Sequence, residues 1–304
     1  MRIAIAGLGR MGGNMARRLR RAGIGVVGWN RTRAVTDALA AECGVEPAAS
    51  LAEAVRRLRA PRVLWLMLPA GGATEQAFGE ALGLLEAGDV LVDGANSDYR
   101  DSQRRAQEAA ARDIRFVDCG TSGGIWGLEA GYCLMLGGEA EAVQILRPVL
   151  DALAPPKGWA HVGPAGAGHY VKMIHNGIEY GMMQALAEGL ALLRAKETFG
   201  IDLAQVAELW RHGSVVRSWL LDLTAEALAR DPDLRGVAPW VEDSGEGRWT
   251  VREAVDLAVP APVITLSLMA RFQSRDEDGF AARALAAMRN AFGGHRIRAA
   301  EAPR

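Results

Sequence analysis

The chain has 304 residues, about twice a typical domain of roughly 150, so two domains or one large one are expected. Half of the residues are hydrophobic and 23% are charged, which provides for a sizeable core and excludes disorder as the dominant state. Lys+Arg 35 against Asp+Glu 36 leaves a net charge of -1, without the basic excess of a nucleic-acid or anionic-membrane binder. The apolar run at 63–68 stops at Pro69, far short of the roughly 20 residues that span a bilayer. Cys43, Cys119 and Cys133 are too few for a disulfide scaffold, and none sits at metal-ligand spacing. A soluble, cytoplasmic protein without a metal is the expectation.

Taken in chain order, short β-rich runs are predicted at 2–6, 25–29, 62–68, 89–93, 115–119 and 132–136. Helical apolar spacing lies between them at 11–21, 34–42, 50–57 and 102–112. Such alternation implies βαβ crossovers, and so an α/β, Rossmann-type, doubly wound and mostly parallel sheet. After about residue 163 the strand signal fades. Helices are predicted over 168–199, 203–210, 219–229, 250–258, 263–273 and 281–292. The expected organisation is a dinucleotide-binding domain at 1–165 followed by an all-α domain at 166–304, with a polar, mobile tail from Arg296 onward.

Gly7-Leu8-Gly9-Arg10-Met11-Gly12 follows the first strand and opens the first helix. The first glycine permits a tight turn, the second lets backbone approach a pyrophosphate, and the third lets helix and strand pack closely. Phosphates then meet the unpaired amides and dipole of a helix N-terminus. The second strand ends in Asn30-Arg31-Thr32-Arg33, with no acid before Asp37 to take a ribose 2′-hydroxyl. A guanidinium and a hydroxyl suit a 2′-phosphate, so NADP is expected ahead of NAD.

Lys172, His175, Asn176, Glu179 and Tyr180 fall at i, i+3, i+4, i+7 and i+8 and project from one helix face. Val171, Ile174, Ile178 and Met182 occupy the other faces, so this helix is expected to be largely buried. Polar groups on a buried helix are costly unless paired or lining a cavity. A desolvated lysine can lose its charge and act as a general base, with a glutamate two turns away as the complementary acid. The segment 93–97, containing Asn96, and the turn Ser122-Gly123-Gly124 each follow a strand, where doubly wound sheets bind ligands; exposed amides of the turn suit a carboxylate. Arg289 and His295 flank a Gly-Gly pair that reads equally well as a helix C-cap.

These residues together resemble the 6-phosphogluconate dehydrogenases, in the short form of that family within the β-hydroxyacid dehydrogenases. The resemblance covers most of the chain, and the run 166–180 is its most specific match. It implies oxidative decarboxylation of a phosphorylated sugar acid in the pentose phosphate pathway, by Lys172 as the base and Glu179 as the acid. It implies substrate contacts from Asn96, Ser122, Gly123, Gly124, His175 and Asn176. Tyr180, Arg271, Arg289 and His295 would take the phosphate, the last two in a neighbouring subunit's site, so a homodimer or homotetramer with shared sites is implied. The cofactor would rest on the 7–12 loop, on Asn30, Arg31 and Thr32, and on Leu68, Pro69 and Asn96. Ile125-Trp126 replaces an acid common in the family, and Ser244 stands where the long form has lysine, leaving Arg248 as the charge of that stretch. Two other readings are another β-hydroxyacid dehydrogenase or imine reductase, and a non-catalytic NADP-binding sensor.

Overall fold

A computed structural model describes residues 1–298; the last part of the expected tail, 299–304, lies outside the described residues. Contacts divide the chain into two units, Met1–Gly177 and the segment from Ile178 onward. The strands of the first are β1 (Arg2–Ala6), β2 (Gly25–Trp29), β3 (Glu46–Pro47), β4 (Val63–Leu66), β5 (Val90–Asp93), β6 (Arg115–Ser122), β7 (Cys133–Gly138) and β8 (Trp159–Gly163). Its helices are α1 (Arg10–Arg21), α2 (Arg33–Cys43), α3 (Leu51–Arg56), α4 (Gly72–Leu84), α5 (Tyr99–Ala110), α6 (Gly127–Ala130) and α7 (Ala140–Leu153). One eight-stranded sheet results, ordered β3-β2-β1-β4-β5-β6-β7-β8 and parallel except where β7 runs against β6. The chain grows outward from β1 through β2 and β3, then returns to place β4 on the other flank of β1. Such a reversal opens a ligand crevice at the carboxyl ends of the strands.

Both sheet faces are covered, and the strands alternate between them residue by residue. Ile3, Ile5, Val63, Trp65, Val90 and Val92 face a core shared with Met15, Leu19, Leu146 and Leu150 of α1 and α7. Ala4, Ala6, Leu64, Leu66 and Leu91 face another, shared with Leu51, Val55, Phe78 and Leu82 of α3 and α4. A parallel sheet buried on both sides needs this double apolar register.

Besides the short α6, two helices beyond the expected ones, α4 and α7, cover these faces. α4 carries Gly72, Gly79 and Gly83, which lower helix propensity, yet Thr74, Ala77, Phe78, Ala81 and Leu82 are buried at helical spacing. α7 runs through Pro148, which reads locally as a breaker, and buries Val143, Leu146, Val149, Leu150 and Leu153. Here tertiary burial outweighs local preference.

α8 (Ala167–Ala195) starts on the sheet and continues into the second unit, followed by α9 (Leu203–Trp210), α10 (Trp219–Arg230), α11 (Glu246–Asp256), α12 (Pro262–Gln273) and α13 (Phe280–Gly293). The core of this unit is small, with Ala207, Leu221, Ala225 and Leu228 buried among Leu186, Leu190 and Trp210. The expectation of a largely buried α8 is corrected by Val171, Ile178 and Met182, which are exposed in the single chain. Among the described residues no helix is long and apolar enough to cross a membrane.

Candidate active site

The carboxyl ends of β1, β4 and β5 align across the sheet, with Ala6 opposite Leu66 and Leu66 opposite Asp93, while β6 pairs Asp118 with Asp93 and runs on in the same direction to Ser122. The loops leaving β1, β4 and β5 carry 7–12, Leu68-Pro69 and Asn96 respectively, and Ser122 ends β6, so the topology brings these predicted residues to the carboxyl ends of the strands.

At the first of them Gly7 has φ +94, and a Cβ there would stand 2.3 Å from the Met67 carbonyl oxygen. A Cβ on Gly12 would meet the Gly7 carbonyl at 2.0 Å, whereas one on Gly9 would meet nothing within 4 Å. The outer glycines thus close the turn, and the middle one leaves its approach open. α1 begins at Arg10 without a side-chain cap and without an acid in its first turn, so its terminal amides and dipole face outward. These features fit a dinucleotide pyrophosphate. Leu8 differs from its neighbours: its side chain is core, and its amide donates to Asn30 Oδ1 at 3.0 Å. Asn30 also donates to the Thr32 carbonyl at 3.1 Å, tying the end of β2 to the glycine turn. Arg33 is engaged by Asp37 at 2.7 Å. Thr32 caps α2 without using its hydroxyl, and Arg31 is exposed. Arg10 and Met11 open α1, Arg10 exposed and Met11 half-buried, and Pro69 is exposed beside half-buried Leu68.

Asn96 is exposed on a loop that a buried ion pair holds. Asp93 accepts from the Ala95 amide at 3.0 Å, from Ser97 Oγ at 3.1 Å and from Arg105 Nη1 at 2.6 Å. Breaking such a buried pair by removing one partner is strongly destabilising, so Asp93 and Arg105 anchor this loop where it leaves β5.

The lysine site forms where α8 lies on β6. Lys172 is 9% exposed, and its Nζ donates to Asn176 Oδ1 at 2.7 Å. Asn176 Oδ1 is also 3.0 Å from His175 Nδ1, and His175 Nε2 is 3.3 Å from Ser122 Oγ. One polar chain therefore joins four of the predicted residues, Lys172, Asn176, His175 and Ser122. Gly123 (φ +124) and Gly124 (φ +53) turn the chain directly after Ser122. The next carbonyl, of Ile125, accepts from Asn14 of α1 at 3.2 Å, which ties this turn to the glycine-loop helix. Burial pushes the neighbouring Cys119 thiol up to about 12, which disfavours its thiolate.

Sequence reasoning did not single out what seats α8. A Cβ on Gly120 would stand 2.4 Å from Lys172 Cβ, and one on Gly168 would stand 2.4 Å from the Met135 carbonyl. Asp118 is buried, and its carboxylate accepts from the amides of Gly166 at 2.6 Å and His169 at 2.7 Å. Burial pushes this carboxyl up, opposed by His169 and by the two amides. The only signal was an acid, a glycine and a serine at alternate positions of an apolar strand.

In the second unit, Glu179 follows Lys172 by seven residues on α8 and is half-buried. Tyr180 is buried; its hydroxyl accepts from the Ser244 amide at 3.4 Å, and the Arg271 guanidinium lies 3.4 Å from its ring centroid. Arg271 also donates to the Glu242 carbonyl at 2.9 Å. Arg248, the expected charge of this stretch, is paired with Asp243 at 2.7 and 3.0 Å. Arg275 donates to the same carboxylate at 2.6 Å. The Arg248 hydrogen bond leads in holding the Asp243 carboxyl at about 2. Arg289 and His295 are exposed near the end of α13, where Gly294 forms a left-handed C-cap. Neither makes a hydrogen bond or ion pair with Tyr180 or Arg271 among the described residues.

Residues 2–163 match the family profile of the NAD binding domain of 6-phosphogluconate dehydrogenase, and residues 168–302 match that of the 6-phosphogluconate dehydrogenase C-terminal domain. The chain is 44% identical over 299 residues to an NAD(+)-dependent, decarboxylating 6-phosphogluconate dehydrogenase of Haloferax volcanii, covering 98% of each. It is 37% identical over 289 residues to the NADP(+)-dependent, decarboxylating enzyme of Bacillus subtilis, covering 90% of this chain and 61% of that one. Plasmodium falciparum 6-phosphogluconate dehydrogenase, whose structures include NADP+ and 6-phosphogluconate complexes, is similar at TM-score 0.83 and 27% identity, over 100% of this chain and 67% of that one.

Proposed function

The chain belongs to the 6-phosphogluconate dehydrogenase family, and we propose that it oxidises 6-phosphogluconate to ribulose 5-phosphate and carbon dioxide with reduction of NADP in preference to NAD. The observation that carries this reading is the buried Lys172 at one end of a hydrogen-bonded chain to Ser122, on the strand edge that also bears the glycine loop. Residues 1–165 form the cofactor domain in this reading, and 166–304 the substrate and oligomerisation domain.

The glycine loop and the first turn of α1 would hold the pyrophosphate, and Arg31 and Thr32 the 2′-phosphate. A nicotinamide held there would supply the acceptor for the hydride from C3 of the substrate. Lys172 accepts the proton of the C3 hydroxyl and returns a proton to the resulting carbonyl oxygen as carbon dioxide leaves. That hydrogen bond draws electrons toward oxygen as the carbon–carbon bond breaks, so the chain supplies its own electrophile. Glu179 then protonates C1 of the enediol. Asn176 holds Lys172 Nζ toward the substrate, and the Ser122-Gly123-Gly124 turn takes the carboxylate end. Asn96 and His175 take hydroxyls, while Tyr180 and Arg271 take the phosphate.

The Haloferax relative is NAD(+)-dependent, so the preference for NADP rests on Arg31, for which the end of β2 supplies no acidic competitor. Arg289 and His295 act in this reading in a second copy's site, within a cytoplasmic homodimer or homotetramer. In support, the helical unit leaves large apolar residues uncovered, Val215 at 99% and Phe292 at 94% among them.

The test is turnover of 6-phosphogluconate with NADP and NAD in parallel, followed by reduced-nicotinamide absorbance. Faster reduction of NADP is expected. Equal turnover of an unphosphorylated 3-hydroxy acid would transfer the chain to another β-hydroxyacid substrate.

A further inference from the structure

Residues 118, 120 and 122 share one face of β6, because strand side chains alternate. Each meets α8 at a later point along it. Asp118 takes the amides of Gly166 and His169, Gly120 lies against Lys172, and Ser122 reaches His175. Strand and helix are therefore in a fixed register over the stretch that holds the proposed base. The contacts at Gly120 and Gly168 are steric: they set how near the helix comes, not where along its axis it stops. The contact at Asp118 is directional, since one carboxylate receives two amides at the helix start, where the dipole also favours negative charge.

The surroundings keep that carboxylate in place. Gly137 pairs with Asp118 across β7, and a Cβ there would stand 2.5 Å from Asp118 Oδ1 and 2.7 Å from the Gly168 amide nitrogen. The His169 ring, 1% exposed, has its Nδ1 2.7 Å from Ser102 Oγ of α5, which steadies the first turn from the side. All these groups lie within the first unit.

We propose that Asp118 is a positioning residue for the reaction: it fixes the axial register of α8 on β6, and so where Lys172 and His175 stand relative to the Ser122 turn. The proposal rests on the assignment of Lys172 as the base. Asp118 touches neither substrate nor cofactor in it, and acts only through the helix.

Asp118→Asn tests it. The shape is kept and one oxygen still accepts, but an NH2 group now faces the second amide. With kcat counted per cofactor-binding site, it should fall on the order of tenfold to a hundredfold, the penalty for misplacing a catalytic group by about 1 Å. The Kd for NADP should stay within about twofold, and Asp118→Ala should lose more than Asp118→Asn. A loss of folding alone would lower the number of binding sites and leave kcat per site unchanged.

In the same protein with NADP bound, the imidazole 15N resonance of His175 should move, while that of His212 in the second unit stays. Unchanged kcat per site with an unmoved His175 resonance would overturn the proposal. Absent turnover in the unsubstituted enzyme would instead overturn the assigned reaction, and the His175 resonance would still decide the register. If Asp118→Asn fails to fold, Ser102→Ala removes only the hydroxyl beside His169. It should then move the His175 resonance away from its position in the unsubstituted protein and lower kcat per site, and no change in either would overturn the proposal.

Discussion

The sheet unit and the helical unit bury their apolar residues to very different degrees. The first has a continuous core on each side of its sheet, and strand residues alternate between the two without leaving a face open. The second buries a small cluster and leaves large side chains such as Leu192, Val215 and Phe292 in solvent. A sheet with helices on both faces completes its own burial, whereas loosely gathered helices complete theirs only against another surface. The chemistry proposed here follows the same division: cofactor loops and base belong to the unit with the continuous core, phosphate contacts to the one with the small core.

The largest effect that would break this division is at Lys172. Lys172→Met should lower kcat by about 10²–10⁴-fold, the range for losing a general base, with NADP binding unchanged by fluorescence titration. Turnover near that of the unsubstituted enzyme would remove the base from the first unit.

Arg31→Ala should weaken NADP by about 1.5–3 kcal/mol, as for a hydrogen bond to a charged group, and leave NAD nearly unchanged. Equal weakening of both would contradict the 2′-phosphate assignment. Arg289→Ala probes the other unit. Its KM for 6-phosphogluconate should rise by a similar free energy, about 1.5–3 kcal/mol. Mixed oligomers of Arg289→Ala and Lys172→Met chains should regain activity, because one site then escapes both changes. No recovery in demonstrably mixed oligomers would place each site within a single chain.

The smallest effect sharpens the comparison from within the helical unit. Asp243 is held at about 2, below its ordinary 3.8, by Arg248 and Arg275. A depressed carboxyl stabilises the fold above its unfolded value and loses that contribution as pH falls toward 2. The contribution, screened by the exposure of Arg248, is on the order of 1–2 kcal/mol. Acid unfolding followed by circular dichroism should therefore show Asp243→Asn less stable near neutrality, converging with the parent as pH falls through 3.8 toward 2. A constant difference across that range would argue that packing, not charge, is lost.

The strands at 2–6 and 25–29 were legible to the residue, because buried β-branched runs bounded by glycine have few other uses. α4 and α7 were not, since three glycines and an internal proline hide a helix that only the sheet beneath it stabilises. β8 was missed for the opposite reason: an edge strand with an exposed centre carries no apolar alternation. In the candidate site the polar stripe on α8 followed from helical spacing alone, and the structure joins Lys172, His175 and Asn176 to Ser122. Asp118 escaped notice because its partners are backbone amides 48 and 51 positions away, which no local pattern encodes. The exposure of Val171, Ile178 and Met182 was misjudged because periodicity shows which residues are apolar, not what covers them.

The most direct test of the account is the stoichiometry of the reaction. Purified protein with 6-phosphogluconate and NADP should release one carbon dioxide for each nicotinamide reduced, since Lys172 as the proposed base would both accept the hydroxyl proton and assist the loss of the carboxyl group. Reduction without carbon dioxide, or no reduction by protein that binds the cofactor, would contradict it.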